Sequence, residues 1–439
     1  MCLIPSCGML FFGESKAGAN EVLAKFPDPV DKNGSFNIDY LSGISDWAGD
    51  RFAFRQEMIT VWSGLNSALF GTSVEDKVVT GSSGWLYYSE TLDDYRGLSL
   101  EDSRLEAMAW NLSLMQEYAE SKGARFLVTI APNKNSIYPE YMPDHVPHNA
   151  DSANSKKLMP YLEKYAVSYA DLFTAISDEE ETLYFKTDSH WDSRGAALAA
   201  DIILSGLDRE SAYFTSAFSK GEAHRGDLYE MLFPAGKYTE DDFSYVPGFT
   251  FTTARDPNGG NAVNIESSSE NGSGRLMCWR DSFGVALYPY LAESFREARF
   301  SRSAAYDLTR IDSEQTDSVL IEIVERNLSY LLENMPVYSA PLSDMPELTA
   351  QMPALEVSAE QGRTAATGDL VLLQAQIPEA YAESTSCGYF VCSGSCYKAA
   401  VLYPDGSSPV VSAWIPSADT GSISVIYGNE AACFISDAA

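Results

Sequence analysis

Residues 185–200 read FKTDSHWDSRGAALAA, and the rest of the chain takes its place from this stretch. Asp188 and His190 stand two apart beside Trp191. Ser193 then opens the run SRGAALAADIILSGL, which reads as a helix with Ser193 near its N-cap. In an extended or loop segment, residues i and i+2 face the same way. The Asp188 carboxylate can then hold Nδ1 of His190, fix its tautomer and leave Nε2 free as a general base. Such a base needs a hydroxyl or thiol to activate. The chain has only four histidines, so the pair asks for a nucleophile elsewhere.

The helix after His190 is one beat of a β–α–β rhythm. Upstream, residues 100–123 show helical apolar spacing with Gly123 just past its end, and RFLVTIAP (125–132) follows as a buried strand. Residues 157–167 read as helix and 168–172 as strand. Downstream, 275–279, 285–295 and 318–324 read as strand, helix and strand. Nearer the N-terminus, 47–71 reads as helix and 77–90 as two short strands around a Gly-Ser turn. This alternation predicts an α/β fold with a mostly parallel sheet, whose ligands sit outside the carboxyl ends of the strands. After Pro341 the texture changes to alternating β-type runs split by turns such as Asp405-Gly406, which predicts a small C-terminal β-sandwich. The expected organisation is 1–15 as the stub of a signal or membrane anchor, 16–70 as a lead and helix, 71–340 as the catalytic unit and 345–439 as the sandwich.

The charge balance narrows the function. Thirty basic against 62 acidic residues leave a net charge of -32, which excludes nucleic acid as a partner and disfavours a dense polyanion. An acidic surface often serves solubility alone. Of seven cysteines, Cys387, Cys392, Cys396 and Cys433 fall in the last fifth, where at least one disulfide and an oxidising compartment are expected, with Cys278 free. Zinc ranks below this: no C-x-x-C pair occurs and no histidine lies nearby, so no metal or cofactor is expected.

The nucleophile is expected in RLMCWRDSFG (275–284), where an apolar strand ends, Asp281-Ser282 turns and a helix begins. A serine there stands at the ligand edge of the sheet, and its own N–H can face an oxyanion near a helix N-terminus. Ser282 is thus the expected partner of His190 and Asp188. A lone D-x-H is usually a surface loop and a lone D-S-F an N-cap; it is their combination that carries weight. Cys278 is the rival, but mid-strand among apolar residues it reads as a buried structural thiol. His145 and His148 flank prolines and His224 has no carboxylate at similar spacing, so all three are expected to be dispensable.

The blocks KTDSHW (186–191), CWRDSFG (278–284) and IVERNL (323–328), in that order, resemble the SGNH-hydrolase-like domain of the alginate O-acetyltransferase family, the AlgX/AlgJ type with its DHHW relatives. DRFAFRQEMITV (50–61), KVVTGSSGWLYY (77–88) and TIAPNKNSIYPEYMP (129–143) extend the likeness over about residues 46 to 335. The resemblance implies an SGNH-like three-layer fold, Ser282 as nucleophile, His190 as base and Asp188 as its orienter. Ser189 departs from the second His of DHHW proteins, and the Gly and Asn blocks of ordinary SGNH esterases are not recognisable. Arg326, Asn133, Lys134 and Tyr138, near strand ends, are candidates for substrate or oxyanion contacts, with structural hydrogen bonding as their other reading. The resemblance further implies an extracytoplasmic, membrane-proximal O-acetyltransferase acting on a cell-surface or secreted polysaccharide, with acetyl groups supplied by a membrane-bound O-acyltransferase. The terminal β-domain sits where AlgX-type proteins carry a carbohydrate-binding module. A carbohydrate acetyl esterase with the same triad and a non-catalytic glycan-binding scaffold are the alternatives. The acidic charge favours a neutral or weakly charged acceptor over a uronate polymer.

Overall fold

The computed structural model describes residues 11, 13–15, 23–32, 34–70, 72–255, 259–303, 306–362, 367–404, 406, 408–429 and 432–438. Most of the N-terminal stub, with Cys2 and Cys7, and Asp405 of the expected turn lie outside the described residues. Helices α1 (Tyr40–Arg51) and α2 (Arg55–Phe70) stand where one helix was expected. Phe52 is extended and Phe54 adopts φ 65°, so the helical hydrogen-bond ladder is interrupted between them. No helix among the described residues is long and apolar enough to cross a membrane.

After a hairpin of β1 (Val78–Thr80) and β2 (Leu86–Tyr88), the chain enters the α/β layers. These run α3 (Asp102–Ser121), β3 (Arg125–Ala131), α4 (Asn154–Lys164), β4 (Tyr169–Ala170) and α5 (Ser193–Gly206). A hairpin unread in the sequence, β5 (Phe218–His224) and β6 (Glu240–Tyr245), encloses the short helix α6 (Asp227–Leu232). Then follow β7 (Thr252–Arg255), β8 (Asn264–Ser268), β9 (Arg275–Trp279), α7 (Gly284–Ser294), β10 (Glu297–Ser301) and β11 (Ser318–Val324). The sheet order is β4-β3-β11-β9-β10-β8-β7. Its first five strands are parallel, and β8 and β7 close the far edge antiparallel.

Period-2 alternation sorts the two faces. Phe126, Val128, Ile130, Val319 and Ile321 share a core with residues of α3 and α4, while Leu127, Leu276, Cys278 and Leu320 share one with α5 and α7. The sheet is thus the middle of three layers, and central β11 is buried along its whole length, as a strand covered on both faces must be.

The β-rich C-terminal region forms a nine-stranded sheet curled on itself: a Cβ added at Gly388 would come within 2.7 Å of Val411, two strands away. Its inner residues, including Phe390, Ala399 and Val401, continue the core around α3. Trp110 Nε1 donates to Ala399 O (2.8 Å), and Asn111 both donates to Val401 O and accepts from Val401 N (2.9 Å each).

The expected disulfide is not formed. Cys278, Cys387, Cys392, Cys396 and Cys433 are all buried free thiols. Cys387 and Cys433 both pair with Gly428 from opposite sides, and their thiols meet across that side-chain-less position as a hydrogen-bonded but unbridged pair. Cys392 pairs with Ser395 and Cys396 with Val391, so their side chains leave the hairpin on opposite faces.

Asn111→Ala should lower stability by about 1–3 kcal/mol, because both backbone groups of Val401 lose buried partners; urea unfolding with a C-terminal fluorescent label reads this. Alkylation without reductant should label all four C-terminal cysteines after denaturation.

Candidate active site

Three adjacent strands, β3, β11 and β9, end side by side, and the residues just past them frame the site: Asn133–Lys134, Glu325–Arg326 and Asp281–Ser282. Opposite them, residues 185–190 form a tight loop closed by a bridge between Tyr184 and Trp191. Polar groups spend themselves on its backbone. Buried Lys134 donates from Nζ to the carbonyls of Phe185 (3.0 Å), Lys186 (2.9 Å) and Asp188. Glu240, at the start of β6, accepts from the amides of Lys186 and Thr187 (2.8 Å each). Asp227 accepts from Ser189 N (2.8 Å) and Oγ (2.6 Å). Gly226 must be glycine here, since a Cβ would lie 2.2 Å from Thr187 O. The N-cap of α5 is Asp192, accepting from Arg194 N and Gly195 N, and Ser193 beside it is held by Asp242.

This loop presents Asp188 and His190 to Ser282. His190 Nδ1–H donates to Asp188 Oδ1 (2.7 Å), and Ser282 Oγ–H donates to His190 Nε2 (2.8 Å). Ser282 is positioned from below by Asp281, whose Oδ1 accepts from Phe283 N (2.9 Å) and Oδ2 from Val324 N (2.6 Å), tying the end of β9 to that of β11. Trp191 Nε1 donates to Phe283 O (3.2 Å) and so joins the two loops. The Ser282 N–H finds no acceptor among the described residues and lies just before α7.

Asp188 carries a second imidazole that the sequence reasoning missed. His224, at the end of β5, donates from Nε2 to Asp188 Oδ2 (2.8 Å) and stacks on Phe185 at 3.9 Å. His190 N and Asp227 N add two more bonds to the same carboxylate. Burial works to raise the Asp188 carboxyl, but the hydrogen bonds from His190 and His224 prevail and hold it well below the usual carboxylate range. Burial likewise works to lower His224, yet the bond and charge of Asp188, with Asp242 and Glu240, raise it above an ordinary histidine. The expectation that His224 lacks an orienting carboxylate is therefore corrected. A second His–Asp pair within EAHRGD (222–227), in a chain with four histidines, was the available signal.

Other candidates fall into place differently. All three donors of Lys134 are committed to carbonyls, and burial pushes its pKa down to about 8, so it builds the loop and has no proton left for an oxyanion. Tyr138 accepts from Leu183 N (2.9 Å) and packs on Trp85, a structural position. Asn133 is buried; its N–H donates to Glu325, while its side-chain amide has no hydrogen-bond partner among the described residues. The Arg326 guanidinium lies 5.5 Å from the ring centres of both Tyr88 and Phe283, next to the Ser282 turn. Burial pushes the Cys278 thiol far up, which leaves it inert. His148 stacks on Tyr95, away from this loop. Asp188, His190 and Asp227 bring ligand-type atoms within 4.8 Å of one another, but each is engaged in the protein hydrogen bonds above, which account for the cluster without an ion.

The three side chains open onto a cleft of about 760 Å³ between the β5–β6 hairpin and the start of α7. Lys134→Met, which keeps the stem but strands three carbonyls, should lower acetyl-ester turnover at least tenfold; 4-nitrophenyl acetate hydrolysis by the folded variant measures it.

Residues 78–256 match a family model described as the SGNH hydrolase-like domain of acetyltransferase AlgX, a range that includes Asp188, His190 and His224 and ends before Ser282. Over 194 residues the chain is 24% identical to the probable alginate O-acetylase AlgJ of Pseudomonas syringae pv. tomato, covering 42% of this chain and 48% of that protein. The chain thus spans about half the length of the curated relatives it matches. Among solved structures it is similar to Bacillus cereus PatB1 with a sulfonyl adduct (16% identity, TM-score 0.46, 57% of this chain and 95% of that one). It is also similar to the O-acetyltransferase domain of Pseudomonas putida AlgJ (17%, TM-score 0.40, 58% and 93%). The resemblance to the AlgX/AlgJ type is carried by the family model and these relatives as well as by the motif blocks.

Proposed function

We propose that the protein is an O-acetyltransferase that moves an acetyl group through Ser282 onto the hydroxyls of a cell-surface or secreted polysaccharide. The observation that carries this is the unbroken chain Ser282 Oγ–His190–Asp188, with links of 2.8 and 2.7 Å, facing an open cleft. The curated relatives are named alginate O-acetylases, which supports acetyl as the group and a polysaccharide as the acceptor.

In this mechanism His190 Nε2 takes the Ser282 proton as Oγ attacks the carbonyl carbon of an acetyl ester. The oxyanion forms beside the unpaired Ser282 N–H and the N-terminus of α7, and the Arg326 guanidinium is the nearest candidate for added positive charge. The leaving oxygen takes the proton back from His190, and acetyl-Ser282 remains. A sugar hydroxyl then gives its proton to His190, attacks the acyl carbon and leaves as the acetate ester, while the proton returns to Ser282. Asp188 holds the imidazole in the Nδ1–H tautomer throughout. His224 acts as a positioning residue, sharing the Asp188 carboxylate and adding positive charge beside it.

The acetyl groups are supplied, on this reading, by a membrane-bound O-acyltransferase, and the protein works outside the cytoplasm near the membrane. The free C-terminal thiols withdraw the support that a disulfide would have lent to an oxidising compartment. The curled C-terminal sheet is a candidate glycan-binding surface by its place in the chain.

Ser282→Ala should abolish acetyl-ester turnover, a loss of several orders of magnitude, with the fold intact. Mass spectrometry of the rapidly quenched wild type should find acetyl on the Ser282 peptide. Acetate release with no transfer to any oligosaccharide would make it an esterase, and no labelled Ser282 would leave a non-catalytic scaffold. His224→Gln should remain folded but lose about tenfold in rate. Its raised titration favours positive charge beside Asp188; without that charge the Asp188 carboxylate stabilises the protonated His190 more strongly. The acid limb of kcat/KM therefore moves to higher pH. An unmoved limb would reduce His224 to packing.

A further inference from the structure

We infer that the acceptor entering this cleft is a glycan free of carboxylates, seated on aromatic rings, and that the acidic rim excludes uronate chains. This rests on the transferase reading of Ser282 and names the substrate class of that site.

Among the described residues the lining carries no lysine or arginine, yet it includes Glu222 and Asp242 as well as Asp188 and Asp227. Asp242 is committed to Ser193. Glu222 is exposed on β5 and has no ion-pair or hydrogen-bond partner among the described residues, so its charge faces whatever enters. His224 lines the cleft too, but its charge is taken up by Asp188, and the nearby lysines and arginines are engaged elsewhere. Lys134 is buried on carbonyls, and Arg280 is buried and donates to the carbonyls of Gly260, Ala262 and Asp281. Arg194 pairs with Glu181 and lies behind Phe243, 5.6 Å from its ring centre. Arg326 lies against Tyr88 and Phe283 at the Ser282 end, where its charge serves the oxyanion, and does not line the rest of the cleft.

The apolar part of the lining is aromatic. Phe243 and Tyr245 from β6, Phe249 after it and Tyr290 of α7 form one wall, with Tyr245 stacked on Phe249 at 5.2 Å and Phe249 edge-on to Tyr290 at 5.0 Å. Such faces take the C–H faces of sugar rings, and a few polar groups then orient the chain. A carboxylate on every ring would bring repeated like charges against Glu222 and Asp242 inside a partly enclosed, poorly screened space.

The test compares two hexasaccharides of equal length, mannohexaose and a mannuronate hexamer, in two arms. The first follows acetyl transfer from 4-nitrophenyl acetate by the wild type. The second measures binding of each to Ser282→Ala by calorimetry. We expect mannohexaose to be preferred at least tenfold in both, with the uronate signal rising as salt is added. Glu222→Lys should raise the uronate-to-neutral ratio at least fivefold. Equal or better use of the uronate, uronate binding that weakens with salt, or a ratio untouched by Glu222→Lys would overturn the inference. If acetyl-Ser282 never forms, the transferase reading falls, while the binding arm still decides the charge preference.

Discussion

A single ionised carboxylate organises the site. Asp188 is almost fully buried and would be costly as an isolated charge, but it accepts four hydrogen bonds, two from imidazoles and two from backbone amides. Each bond also fixes a different piece of chain. His190 is turned toward Ser282, His224 brings in the end of β5, and the amide of Asp227 brings in the start of α6. Asp188 is therefore the point at which the loop of residues 185–190 and the β5–β6 hairpin are joined.

The same economy recurs around it. Lys134, from the end of β3, neutralises three carbonyls of the loop, and Glu240 and Asp227 take its amides. A six-residue turn without regular structure can persist this deep only because nearly all its backbone groups find partners. Asp281 does for the Ser282 turn what Lys134 does for the histidine loop, by bonding across to β11. Rigid strands fix the ends, and short polar clamps fix the loops between them, which is how side chains from distant parts of the sequence meet within hydrogen-bond distance.

The legible parts of the fold were those written in apolar periodicity. Continuous apolar runs at 125–131, 275–279 and 318–324 announce strands buried on both faces, and their observed burial matches that pattern. Asp188, His190 and Ser282 could be picked out because each stands at a strand end or loop beside a strong pattern. The β5–β6 hairpin was not legible: FSKGEAH and EDDFSY are largely polar and half exposed, held by side-chain clamps more than by a core. His224 was lost with it. The break between α1 and α2 falls inside a stretch whose apolar pattern reads as one helix, and the extended Phe52 and positive φ of Phe54 mark it. Clustering of cysteines in sequence is a poor guide to their contacts: register sends neighbouring Cys392 and Cys396 to opposite faces, whereas distant Cys387 and Cys433 meet across Gly428 as free thiols.

The shared Asp188 carboxylate can be observed directly. In protein labelled with 15N-histidine, NMR at neutral pH should find one imidazole as the neutral Nδ1–H tautomer, assigned to His190 by its loss in His190→Gln. A second imidazole, absent in His224→Gln, should titrate above free histidine and shift in Asp188→Asn. Finding His190 as the Nε2–H tautomer, with both imidazoles indifferent to Asp188→Asn, would contradict the account.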